Sequence, residues 1–288
     1  MKAWWIMLAA AVAIGACSRD PYPQGTPEET LASAQLMVKN GEAEKLPRLI
    51  HADNPDMRRW LNTVGRLLGD VEALAKTIND KYPGEVAELR RKAEEAAKEG
   101  RATSLVGQLV LQSRGVAGSR AGRSRGGQAK DRSQTRDDFN DALTRLFTDP
   151  YAFLSDTQGR LTVLEVDDET AAILWDEKPV LPPVGMVMRK ETDERWYIVL
   201  PTNVPGADKF MPKDKEQWEI LGKLVVTLDK MTIDLNREVA EGRHASLASV
   251  SRRAGEMTFV PAVMVVYAYG KYAEGEKASP TADQPGGN

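Results

Sequence analysis

The sequence predicts an α+β fold with N-terminal helices, a small antiparallel sheet of about four strands and a C-terminal helical region. Two stretches, Met57 to Ile78 and Trp218 to Val239, place apolar residues at every third or fourth position, the pattern of long helices with one buried face. Between them, residues 161–200 hold four short runs that read as two antiparallel hairpins. Hydrophobic residues make up 42% of the chain, enough for a real core although aromatics are only 6%.

The first helix starts at Thr26-Pro27-Glu28-Glu29. Thr26 can cap it, Pro27 suits its first position and Glu29 can reach back as in a capping box. Leu31, Ala34 and Val38 form its stripe, and Asn40-Gly41 stops it. A short second helix follows through Leu46, Leu49 and Ile50. The first long helix begins at Asn54-Pro55 and carries Met57, Trp60, Leu61, Val64, Leu67, Leu68, Val71, Leu74, Ala75 and Ile78. Pro83-Gly84 breaks it, and Glu85 to Lys98 reads as an exposed helix with interleaved charges.

Residues 112–136 differ in character. Arg114, Arg120, Arg123, Arg125, Lys130, Arg132 and Arg136 face Asp131 alone, among glycines and no apolar residue larger than valine. Such a segment cannot bury enough surface to offset the entropy of ordering, so a disordered basic linker is expected. Since the whole chain has a formal charge of −3, the remainder is distinctly acidic.

Order is expected to resume with a short helix through Asp138, Leu143, Leu146 and Phe147, ending at Asp149-Pro150. The strand runs are Leu161 to Val166, Thr170 to Asp176, Val184 to Lys190 and Arg195 to Leu200. Val184, Met186 and Met188 alternate, as do Trp196, Ile198 and Leu200, which predicts one buried face. Asp214 then caps the second long helix, with Trp218, Leu221, Val225, Leu228, Leu235 and Val239 on its stripe and Gly242 at its end. One or two further helices are expected over 244–273, where Phe259 to Tyr269 reads equally as a strand, and 274–288 is a polar tail. The organisation is therefore a helical region at 26–111, the linker at 112–136, a helix plus hairpins at 137–200, a helical region at 201–273 and a disordered tail at 274–288.

The N-terminus carries an address. Lys2 precedes an apolar run from Ala3 to Ile14, then the small pair Gly15-Ala16 and Cys17, the only cysteine of the chain. The run is shorter than the roughly 20 residues a membrane-spanning helix needs, and its layout is that of a secretory signal. Ile14-Gly15-Ala16-Cys17 resembles the lipobox of bacterial lipoproteins. The resemblance implies a signal peptide over 1–16, a diacylglyceryl group on Cys17 and an acylated new amino terminus, followed by a short tether over 17–25. It also implies a peripheral, lipid-held protein of the cell envelope. Ser18 after the cysteine implies the periplasmic face of the outer membrane, in a cell with two membranes.

The helices followed by twisted hairpins, with Trp196-Tyr197-Ile198 near the end of the sheet, resemble the nuclear transport factor 2-like cone over residues 26–200. Thr26-Pro27-Glu28-Glu29, the close at Lys39-Asn40-Gly41 and the following Glu42 to Leu49 carry the likeness. It implies helices packed across a curved sheet around a pocket. Met186, Met188 and Trp196 would line such a pocket in a carrier of small apolar ligands. The long helices at 54–99, the basic linker and the C-terminal helical region depart from the pattern, and no active-site residue of that fold matches here.

Other constellations point to no catalytic, cofactor or metal site. Histidine occurs only at His51 and His244, far from the paired spacing of zinc ligands. No Ser-x-x-Lys pair occurs. Asp167-Asp168-Glu169 falls in a hairpin turn, where acidic residues are ordinary. Gly118 to Ser124 is too short for a phosphate loop and follows no strand. The basic linker suits contact with a polyanion such as lipid phosphate or an acidic envelope polymer; without interleaved aromatics it predicts no nucleic-acid partner. Trp60 and Trp218 read as core, and the length of their helices leaves room for a protruding helical pair or a contact with an envelope protein partner. The composite expectation is a non-enzymatic binding or scaffolding module anchored in the envelope, with ligand carrier or an unrecognised enzyme as alternatives. The sequence leaves oligomeric state open.

Overall fold

A computed structural model describes residues 20–98, 148–151, 160–180, 185–200 and 211–258. The signal, Cys17, the basic linker with its seven cations, the 138–147 helix, residues 259–273 and the tail lie outside the described residues. Among those described, the chain has the α+β arrangement expected: helices, a small antiparallel sheet and a helical C-terminal part.

Helix α1 spans Pro27–Lys39, and a 3-10 helix spans Ala43–Leu49. Thr26 Oγ1 accepts from the Glu29 N–H at 3.1 Å, while Glu29 Oε2 reaches back to the Gly25 N–H at 2.9 Å, one residue before the expected position. Gly41, at φ 72°, takes the left-handed conformation that lets the Glu42 N–H return to the Met37 carbonyl at 2.8 Å. Helix α2 covers Pro55–Lys81, capped by Asn54 Oδ1 on the Met57 N–H at 2.8 Å. Pro83 opens α3, Pro83–Lys98.

The sheet comprises β1 (Leu161–Glu165), β2 (Thr170–Trp175), β3 (Lys178–Pro179), β4 (Met186–Lys190) and β5 (Trp196–Val199). Its order is β1-β2-β4-β5, all antiparallel, with β3 paired to β2. The sequence reading lacks β3, which hangs on a tight turn with Asp176 and Glu177 both at positive φ. Asp-Glu is not the Asn-Gly or Asp-Gly signal such turns ordinarily carry. Register aligns Ala171 with Met188 and Met188 with Ile198, so one face gathers Ala171, Ile173, Met186, Met188, Trp196 and Ile198, with Leu31 of α1 against it. The outer edge of β5 is occupied: Trp196 N–H donates to the Gln24 carbonyl at 2.8 Å and His51 N–H to the Ile198 carbonyl at 2.9 Å. An edge covered this way offers no template for another chain.

Helix α4, Lys215–Ala240, is capped by Asp214 Oδ1 on the Gln217 N–H at 2.8 Å, and Gly242 at φ 74° ends it. Residues 247–258 form α5, whose first N–H groups include Leu247, bonded to Glu85 Oε2 of α3 at 2.9 Å. The two long stripes pack on each other. Met57 and Leu61 meet Trp218 and Leu221, whereas Leu74 and Ile78 meet Leu235 and Val239, so α2 and α4 run parallel. Val86 and Leu89 of α3 and Val250 and Ala254 of α5 complete the second cluster, so α3 is anchored along one face rather than exposed all round. Between the two clusters the interface turns polar, with Asp70 hydrogen-bonded to Asp229 and with Thr232 buried. Asp229 and Asn236 each keep a buried side-chain oxygen without a hydrogen-bond partner among the described residues. On its other side α2 presents Gly65 and Gly69 to Glu44 of the 3-10 helix, an approach so close at Gly65 that a Cβ there would meet the Glu44 carbonyl oxygen at 2.5 Å.

Candidate functional site

The segment that leads into the fold is pinned before the first helix begins. Tyr22 is buried and its hydroxyl donates to Glu42, while Asn40 Nδ2 donates to the Tyr22 hydroxyl at 3.1 Å. Gln24 Nε2 donates to the Trp196 carbonyl at 2.8 Å, the reciprocal of the backbone bond from Trp196 to Gln24. Ser33 Oγ of α1 donates to the Pro23 carbonyl at 2.7 Å. Residues 20–24 thus lie as an extra strip between α1 and β5.

Beside this strip opens a cavity of about 340 Å³, lined from five parts of the chain. Asp20, Tyr22 and Gln24 come from the strip, Met37 from α1, Arg48 from the 3-10 helix, Arg58 and Asn62 from α2, and Arg195 and Tyr197 from the approach to and start of β5. The volume falls in the usual range for small-molecule sites, about 300–1,000 Å³. Three guanidiniums face it against one carboxylate, Asp20, which accepts the Tyr22 N–H at 3.0 Å. Arg58 is structural as well as lining: Nη1 donates to the Pro47 carbonyl at 3.2 Å and Nη2 to the Ile50 carbonyl at 3.0 Å, satisfying the end of the 3-10 helix. Arg48 and Arg195 form no side-chain hydrogen bond or ion pair with another described residue, so their five-donor forks are open to a ligand. Tyr197 donates its hydroxyl to Asp193 Oδ2 at 2.8 Å, and burial together with that carboxylate pushes its pKa up. It stays a neutral donor. Such a wall favours a ligand carrying negative charge, because planar guanidinium forks match carboxylate and phosphate oxygens.

A second polar cluster lies at the sheet edge. His51 Nδ1 is 3.0 Å from Glu191 Oε1, and Nε2 is 3.1 Å from Asp53 Oδ1 and 2.8 Å from Arg189 Nη2. Arg189 Nε also donates to Glu191 at 2.7 Å, so the histidine sits against an Arg–Glu ion pair. His244 is held likewise by Glu238 at 3.1 Å, which Arg253 also grips, and that guanidinium before the imidazole keeps the Glu238 pKa low. Among the described residues no group of three or more His, Cys, Asp or Glu is placed to hold a metal ion. Trp60 and Trp218 meet at 5.9 Å between ring centroids, tilted by 53°, at the α2–α4 contact.

Of the residues singled out from sequence, Met188 and Trp196 are buried in the sheet core and Met186 packs against it; the three belong to the cluster under α1. The Arg-lined cavity is walled by other residues. Cys17 and the cationic residues Arg114, Arg120, Arg123, Arg125, Lys130, Arg132 and Arg136 fall outside the described residues. So does Gly122-Arg123-Ser124-Arg125-Gly126, which has the spacing of a hydrolase nucleophile turn without an apolar strand run directly before it. Sequence reasoning missed Arg48, Arg58 and Arg195. The first and last read locally as ordinary exposed charges, and only the fold collects them. No helix among the described residues is long and apolar enough to cross a membrane. No family model, curated protein or solved structure matches this chain.

Proposed function

We propose that this chain is an exported lipoprotein, held at the cell envelope through lipid on Cys17, that works there as a non-enzymatic binding module. The observation that carries the reading is the order Lys2, apolar run, Gly15-Ala16-Cys17, followed three residues later by a segment docked on the folded body. A short link of this kind joins anchor and body without a long spacer, so the body works at the membrane surface. The Arg-lined cavity supplies a place for an anionic ligand, and the basic stretch at 112–136 a second means of meeting polyanions. A carrier of small apolar molecules, resting on the cone-like resemblance, is less well supported, since Met188 and Trp196 are packed in the core. In a cell with two membranes the reading places the protein on the periplasmic face of the outer one.

Growth with an alkyne-tagged fatty acid tests it. The wild-type chain is expected to carry the label and lose residues 1–16, and Cys17→Ala to carry none. An unlabelled wild-type chain, or label retained by the variant, would refute the anchor. Crosslinking of the lipidated protein in intact cells then separates scaffold from carrier: a stoichiometric protein partner supports the first, a bound small molecule the second.

A further inference from the structure

The Arg-lined cavity and the anchor are covalently close. Asp20, on the cavity wall, is three residues from Cys17, a span of at most about 11 Å at full extension. The hydrogen bonds of Tyr22 and Gln24 hold the exit of that link against the cavity, so the body cannot carry it far from the attachment point. The polar zone of one leaflet is roughly 5–8 Å deep. Whenever Cys17 holds diacylglycerol at that surface, the cavity lies at or just above headgroup depth. Its three guanidiniums face a region whose commonest charged group is phosphate, and two of them, Arg48 and Arg195, make no side-chain hydrogen bond or ion pair with another described residue.

We propose that the cavity walled by Arg48, Arg58 and Arg195 takes the phosphate of an anionic phospholipid headgroup from the leaflet that holds the Cys17 anchor. The ligand's phosphate lies between the open forks of Arg48 and Arg195, with Asn62 beside it for the glycerol hydroxyls. Asp20 sets a limit on the charge, leaving a net of two cations for a phosphodiester. Binding fixes which face of the body meets the membrane. The inference rests on the lipoprotein reading for its source of ligand.

The test uses the processed protein purified in neutral detergent micelles, its mass first establishing the lipid on Cys17. Short-chain phosphatidylglycerol, phosphatidylcholine and inorganic phosphate are titrated separately. Saturable binding of phosphatidylglycerol, weaker binding of the zwitterionic lipid and little of inorganic phosphate are expected. Arg48→Gln with Arg195→Gln should weaken phosphatidylglycerol binding about twenty-five-fold, roughly a factor of five for each arginine near an anionic surface. Both side chains are exposed, so the fold should survive, and Lys223→Gln with Arg252→Gln removes the same charge from exposed sites on α4 and α5 as a control. Equal loss in the control pair, or no loss in the arginine pair, overturns the site. Inorganic phosphate binding as tightly as the lipid overturns the headgroup and leaves a soluble phosphate ligand. A mass without lipid refutes the anchor separately, while the phosphate titration still reads the cavity.

Discussion

Replacing Gly65 with alanine puts a Cβ 2.5 Å from the carbonyl oxygen of Glu44, a backbone atom of the 3-10 helix. Carbon–oxygen contacts settle near 3.3 Å or beyond, so the two helices would have to part by about 0.8 Å. Pro47 Cγ, 3.5 Å away, and Arg58, tied to the Pro47 carbonyl, resist that movement. Overpacking of this kind costs about 1–3 kcal/mol. Against it stands the gain in helix propensity, about 1 kcal/mol for Gly to Ala in a helix interior. A 2.5 Å approach to a backbone oxygen belongs in the upper half of the overpacking range, about 2–3 kcal/mol, so the net expectation is a loss of about 1–2 kcal/mol. For a domain of this size that lowers Tm by about 2–8 °C. Gly222 of α4 supplies the internal control, since an added Cβ there meets nothing within 4 Å and only the propensity gain remains. Gly222→Ala should therefore raise Tm by about 2–4 °C. Thermal unfolding followed by circular dichroism, with urea midpoints at constant m-value as a check, reads both. A Gly65→Ala protein as stable as Gly222→Ala would refute the close packing of α2 on the 3-10 helix.

The contact of α2 with α4 predicts a pH effect. Burial first, then the facing Asp229, pushes the Asp70 carboxyl up to about 6 despite Arg66 nearby, against an ordinary value of about 3.9. The folded chain therefore holds this proton more tightly than the unfolded chain, and the stabilisation is present below about pH 4 and lost as pH rises through 6. Asp70→Asn should lose less Tm than wild type between pH 5 and 7.5, so that the gap widens with pH; parallel curves would rule out the carboxyl pair. Met188→Ala removes a fully buried side chain from beneath α1 and should cost about 2–5 kcal/mol by denaturant unfolding, whereas a small loss would indicate free space at that position. Arg58→Gln, which gives up two bonds to the Pro47 and Ile50 carbonyls, should destabilise the chain, while Arg48→Gln should leave Tm unchanged; equal effects would contradict the division between a structural and an open arginine.

The element boundaries were legible because their causes are local. Thr26, Asn54 and Asp214 each cap the helix that follows through their own side-chain oxygen, and Gly41 and Gly242 end helices by accepting positive φ. Alternation in Met186-Val187-Met188 and Trp196-Tyr197-Ile198 set which face of the sheet is buried. The two long apolar stripes announced helices with a buried side, but a stripe carries no direction and no partner. Tertiary packing alone decided that α2 and α4 run parallel and that a carboxyl pair faces itself between two apolar clusters. It also decided that Gly65 and Gly69 form a second contact face, unseen because glycine adds nothing to a hydrophobic pattern. The cavity follows the same logic. Arg48, Arg58 and Arg195 come from the 3-10 helix, α2 and the approach to β5, and an exposed arginine has the same local signature whether it meets water or a ligand. Caps, turns and periodicity are properties of neighbours in the chain, whereas a charged cavity arises only where the fold brings distant segments together.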